Sequence, residues 1–149
     1  MKYLLIIIMA WMMTGCDEDV VMTTSDIRYG TSFGECIGYC IRETTLHDTQ
    51  ITVQAKSRDD GQATKTKVAE LPTADAMAIR SGIDVHQFQQ LPSTIGCPDC
   101  ADGGAEWLEL QIEGETVRVT FEYGADIDGI GAGVLRLREL TQEMDPSID

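Results

Sequence analysis

Two segments restrict the fold of this chain more than any others: AEWLELQI (105–112) and TVRVTFEY (116–123), joined through Glu113-Gly114-Glu115. In the second, Val117, Val119, Phe121 and Tyr123 alternate with Thr116, Arg118, Thr120 and Glu122. Successive side chains on a strand point to opposite faces, so this alternation gives one buried face and one wet face. A short glycine-containing link between two such runs marks a hairpin. The expectation is an antiparallel sheet covered on one side.

Four further strand-like runs come earlier. Residues 26–33 place Ile27 and Tyr29 on one face, and residues 41–46 are rich in β-favouring types. FGECIGYC, between them, has two glycines and suits a bulged or tight connection. In QITVQAKSR (50–58), Ile51, Val53 and Ala55 alternate with Thr52, Gln54 and Lys56; ATKTKVAEL (63–71) carries lysines, as sheet edges do. Pro72 and Thr73 then open a helix, with Thr73 as N-cap and Gly82 as its stop. A short second helix starts at Asp84, carries Val85, Phe88 and Leu91, and ends before Pro92. Residues 126–144 give a C-terminal helix with Ile130, Val134, Leu137, Thr141 and Met144 on its inner stripe. The grouped order β-β-β-β-α-β-β-α indicates an α+β domain: an antiparallel sheet of about five or six strands with helices on one face.

The N-terminus reads differently. Lys2 precedes an apolar run from Tyr3 to Met13, too short to span a bilayer core of roughly 20 residues but suited to a signal-peptide h-region. The run ends in Met13-Thr14-Gly15-Cys16, which resembles the lipobox of bacterial lipoproteins, with Met where Leu is usual. That resemblance implies cleavage before Cys16 and acylation of Cys16 with a diacylglyceryl group and an N-acyl chain. Two or more acyl chains anchor stably where one does not. Asp17-Glu18-Asp19 follow. An acidic run in that place resembles the surface-export signal of Bacteroidota lipoproteins; in enteric bacteria an Asp there favours inner-membrane retention. The expected organisation is a signal peptide over 1–15, an acylated cysteine and acidic tether over 16–25, and one domain over 26–149. The protein is then exported and held at the outer membrane, on its periplasmic face or at the cell surface, with the lipid bilayer as a partner through Cys16.

The formal charge is −14. Such a chain repels phosphates, and no basic patch interleaved with aromatics occurs, so nucleic acid is not an expected partner.

Of the five cysteines, Cys16 is assigned to lipid, leaving Cys36, Cys40, Cys97 and Cys100. An even number in an exported domain points to disulfides. Bonds crossing between the 36/40 and 97/100 loops are favoured over two local ones, because closing about 60 residues restricts the unfolded chain more. Zinc held by all four sulfurs is one alternative. A thiol–disulfide redox pair at Cys97/Cys100 is the other. A reactive thiolate wants a helix starting at the first cysteine. Here ADGG (101–104) stops helices, and Asp99, Asp102 and Glu106 oppose ionisation.

Other motifs carry less. GTSFG (30–34) is a literal G-x-S-x-G, but Ser32 leads into another strand rather than a helix, and only His47 and His86 could serve as its base. The two histidines have no metal spacing. ADIDG (125–129) lacks the closing Glu of a calcium loop, so Asp128 is assigned as a helix cap. GIGAG (129–133) is a flexible helix entry, and Trp107 a core residue. No catalytic residues, cofactor or resident metal are assigned.

TSFGECIGYC resembles the opening of uncharacterised bacterial lipoprotein domains that begin Cys-Phe-Gly-x-Cys-Pro-x-Tyr on a first hairpin. Phe33, Gly34, Cys36 and Tyr39 match; Ser32 and Ile37 depart, and Cys40 is additional. The resemblance implies an α+β domain and supplies no catalytic residues. The functional expectation is a membrane-anchored, non-catalytic binding module with a protein or envelope partner.

Overall fold

The computed structural model describes residues 26–59 and 61–148. The expected signal peptide, the expected acylation site Cys16 and the expected acidic tether lie outside the described residues.

Seven strands form one sheet in the order β4-β3-β2-β1-β6-β7-β5. They are β1 Asp26–Ser32, β2 Tyr39–His47, β3 Gln50–Ser57, β4 Lys65–Glu70, β5 Thr94–Ile95, β6 Ala105–Ile112 and β7 Glu115–Glu122. All pairs are antiparallel except β5 with β7. The 105–123 hairpin forms as its alternation demands, with Val119 and Phe121 buried. The lysine-bearing β4 is an edge strand. At the FGECIGYC connection the β2–β3 register slips between Tyr39 and Ile41. The seventh strand, β5, lies outside the expected five or six.

Three helices pack on the sheet: α1 Thr73–Ser81, α2 Val85–Phe88 and α3 Gly131–Glu143. They meet the face bearing Ile27, Tyr29, Leu46, Ile51, Leu108 and Phe121, and Ile79, Phe88, Ile130, Val134 and Leu137 complete that core. The inner stripe of α3 holds at Val134, Leu137 and Thr141, but the helix starts at Gly131 rather than at residue 126, so Ile130 is its N-cap and Met144 its C-cap.

Both expected side-chain caps of α1 and α3 are corrected. Thr73 is the first residue of α1 rather than its cap; the Pro72 carbonyl accepts the Asp75 and Ala76 amides instead. Asp128 does not cap α3. Ile130 holds that position, and the Gly133 amide of the first turn donates to the Gly82 carbonyl at 3.0 Å. A backbone group at the end of α1 thus satisfies a donor that α3 leaves open. A methyl group on Gly133 would stand 2.8 Å from the Ile79 carbonyl oxygen, so only glycine permits this approach. Asp84, the expected start of the second helix, is instead the cap of α2 and accepts from the Gln87 amide at 2.9 Å; α2 ends at Phe88, before Leu91.

Trp107 is also corrected: it is not a core residue. It lies half-buried on the opposite sheet face, across Gly30, with the Arg118 guanidinium 5.2 Å from its ring. Beside it, the buried Glu109 carboxylate accepts from Arg118 at 2.8 and 3.0 Å and from Arg28 at 3.4 Å.

Candidate functional site

The pairing registers separate the sheet into two ends. Asp26 faces His47 at one end of β1, and Ser32 faces Ile41 and Ala105 at the other. Six residues of strand at about 3.3 Å each put the ends roughly 20 Å apart. The chain upstream of Asp26 joins at the first end. All four described cysteines lie at the second, in the β1–β2 loop, at the start of β2 and in the β5–β6 loop.

The disulfides join Cys36 to Cys40 and Cys97 to Cys100, with Cα separations of 5.6 and 5.5 Å. The expected crossed pairing is therefore corrected to two local bonds. With the sulfurs so engaged, the four cysteines do not form a tetrahedral zinc set. The two loops are joined by a hydrogen bond instead: the Gly34 amide donates to Asp99 Oδ1 at 3.1 Å. Arg58 Nη1 adds a bond to the Gly34 carbonyl at 2.9 Å, and the Cys97 amide donates to Glu122 Oε1 at 2.8 Å. Phe33 lies on Gly104, whose φ of +83° and missing Cβ leave room for the ring. Phe33 also meets Tyr123, with ring centroids 5.0 Å apart. Next to this frame Ile37 is fully exposed, at 101% of its reference area.

A recess of about 280 Å³ opens between this end of the sheet and the C-terminal turn of α3. Phe33, Tyr39 and Tyr123 supply aromatic walls, with the Cys36–Cys40 bridge among them. Two ion pairs form its polar side. Arg138 binds Glu106 through both carboxylate oxygens, Nε and Nη2 each donating at 2.6 Å. The Tyr29 hydroxyl donates to the same Glu106 at 2.6 Å. Glu106 is fully buried, so this bidentate geometry and third donor are what make its charge tolerable. Burial, followed by the adjacent carboxylate, pushes the Tyr29 phenol far above its ordinary pKa. The hydrogen bond to Glu106 likewise raises that of Arg138, against the effect of burial.

The second pair joins Arg42 Nε to Asp145 Oδ2 at 2.7 Å, with Arg42 Nη2 donating to Ser147 Oγ at 2.8 Å. Burial opposes ionisation of Asp145. The Ser147 amide and the Arg42 side chain more than offset it, and the carboxyl sits below its ordinary range. Between the pairs, Thr141 donates to the Leu137 carbonyl at 2.7 Å and lies 2.6 Å from the Thr44 hydroxyl.

Sequence reasoning missed both ion pairs. One signal was available: Glu106 shares its strand face with Leu108 and Leu110, and an acid in an apolar register implies a buried cation.

The remaining motif residues are dispersed. Ser32 and His47 stand at opposite ends of the β1–β2 pair. His47 Nδ1 contacts Asp26 Oδ1 at 2.5 Å, and His86 is on α2. Among the described residues no three His, Cys, Asp or Glu side chains gather as a metal-binding group. Cys97 and Cys100 are exposed, but no α-helix starts at Cys97; a single 3-10 turn begins at Cys100.

No protein-family model matches the sequence, and no curated protein is similar to it.

Proposed function

We propose that this chain is a membrane-anchored binding module of a bacterial envelope, held through acylated Cys16 at the outer membrane or cell surface. It engages a protein partner without chemistry of its own. The observation that carries this reading is the fully exposed Ile37 on a cystine-closed loop, at the opposite end of β1 from the tether. A single exposed apolar side chain is ordinary on a protein surface. One held in a closed loop, which is braced through Gly34 to Asp99, is different: little ordering entropy is lost when it enters a partner's pocket. An inhibitor of an external hydrolase is a specific form of this reading. The test is a photo-crosslinking residue in place of Glu35, next to the 36–40 loop, in cells. The expected result is a discrete envelope protein adduct that Ile37→Asp removes. Crosslinks indifferent to Ile37→Asp would count against the reading.

One observation favours a second reading, a thiol–disulfide factor. Cys97 and Cys100 pair with each other and are exposed, as a redox dithiol is. The missing helix and the acidic side chains of Asp99, Asp102 and Glu122 oppose a stable thiolate there. Insulin reduction that Cys97→Ser abolishes would establish this second reading.

A further inference from the structure

The recess offers unused hydrogen-bonding capacity of both kinds. Arg138 Nε and Nη2 serve Glu106, and Nη2 also reaches the Ala125 carbonyl at 3.3 Å. Nη1 makes no hydrogen bond among the described residues, and the guanidinium lies 6.0 Å from the centre of the Tyr123 ring. No buried side-chain nitrogen or oxygen among those residues lacks a partner, so Nη1 is accessible to solvent. The Tyr123 hydroxyl accepts from Gln142 Nε2 at 3.1 Å, which leaves its own proton to donate and Gln142 Oε1 to accept.

The charge of the recess narrows its ligand. Glu106 balances Arg138, and Asp145 balances Arg42. An anion therefore gains little net attraction and must approach a chain of formal charge −14. A cation meets the outer edge of Arg138. A wholly apolar group would desolvate that edge without replacing its hydrogen bonds. A neutral ligand with one apolar face and several hydroxyls satisfies all of these conditions. The volume, about 280 Å³, lies at the small end of ligand pockets and suits a single ring.

We propose that this recess binds one neutral pyranose unit of a saccharide. The C–H face of the sugar lies on the aromatic wall, and its hydroxyls bond to Arg138 Nη1, the Tyr123 hydroxyl and Gln142. The proposal goes beyond the binding-module reading, which puts a protein partner at Ile37 and not in the recess.

Saturation-transfer difference NMR on the full-length protein tests it. The probes are neutral methyl glycosides of glucose, galactose, mannose and N-acetylglucosamine, with methyl glucuronoside and an apolar tripeptide for comparison. The expected result is transfer to the ring C–H protons of at least one neutral glycoside, reduced about fivefold or more by Gln142→Ala and by Tyr123→Ala. Gln142 is exposed on α3, so its variant keeps the test meaningful if Tyr123→Ala disturbs Phe33. Absence of transfer to every neutral glycoside overturns the proposal. So does transfer unchanged in the Gln142 variant, or stronger transfer to the glucuronoside or the peptide. Ile37 does not line the recess. Ile37→Asp therefore leaves glycoside binding intact while removing the protein adduct, and the two readings fail separately.

Discussion

The Gly133 amide donates to the Gly82 carbonyl at 3.0 Å, so the first turn of α3 is completed by the last residue of α1's cap. This backbone contact helps hold the two longest described helices together above the sheet, with the Arg136–Asp75 pair at 3.9 Å as a second link. Gly133→Ala would push a methyl group against the Ile79 carbonyl and the Ile83 side chain. The expected loss is about 1–3 kcal/mol, the usual range for overpacking. Urea denaturation checks it, and an unchanged midpoint would show that the helices part without cost.

Glu106 depends on Arg138 more than Arg138 depends on Glu106, because only the acid is fully buried. Arg138→Met should destabilise by about 3–5 kcal/mol, since it leaves a buried carboxylate unpaired. Adding Glu106→Leu to that variant should restore most of the loss. Tyr29→Phe alone should cost about 1–2 kcal/mol. A double variant no more stable than Arg138→Met would contradict this account of the pair.

His47 should titrate above its ordinary value of 6.5, because it is hydrogen-bonded to and attracted by Asp26, with Asp48 adding attraction. A histidine with a raised folded-state pKa contributes stability below its unfolded pKa. That contribution disappears as pH rises through the folded value. NMR titration of the His47 ring should show the elevation, and Asp26→Asn should reverse most of it. A wild-type value at or below 6.5 would refute the contact.

Local disulfides of three- and four-residue separation make a different stability prediction from crossed ones. In the loop-entropy relation each is worth about 2 kcal/mol, against more than 4 for a loop of about 60 residues. Replacing Cys97 and Cys100 together by serine should therefore cost about 2 kcal/mol and leave Cys36–Cys40 intact. Non-reducing peptide mapping gives the pairing directly; a 36/40 peptide bonded to a 97/100 peptide would overturn it.

The strands were legible where alternation is long. The 105–123 hairpin and β3 stand where their patterns place them, since a one-residue slip would turn every apolar side chain to water. β5 was not legible: Thr94 and Ile95 are too few to show a period, and they pair only because β7 offers a free edge. The helix caps failed for a related reason. Asp128 is a good cap by composition, but the carbonyl of Gly82, 51 residues before Gly133, satisfies part of the first turn of α3 instead. The cysteine pairing followed the same logic. Loop entropy favours long bonds, yet the two loops are already brought together by Gly34 and Asp99, and each turn holds its own sulfurs within bonding reach. Tertiary contacts of this kind leave no local trace in composition.

β1 is paired along its length on both sides, with seven residues matched to β2 and six to β6. The chain upstream of the described residues joins at Asp26, and the exposed Ile37 follows the other end of the strand. Were the chain anchored and bound as proposed, a pull between anchor and partner would run along the covalent backbone of β1, which is already extended and held on both sides by its neighbours. The same central strand that orients the domain would make it a stiff mechanical link between a membrane and whatever it holds.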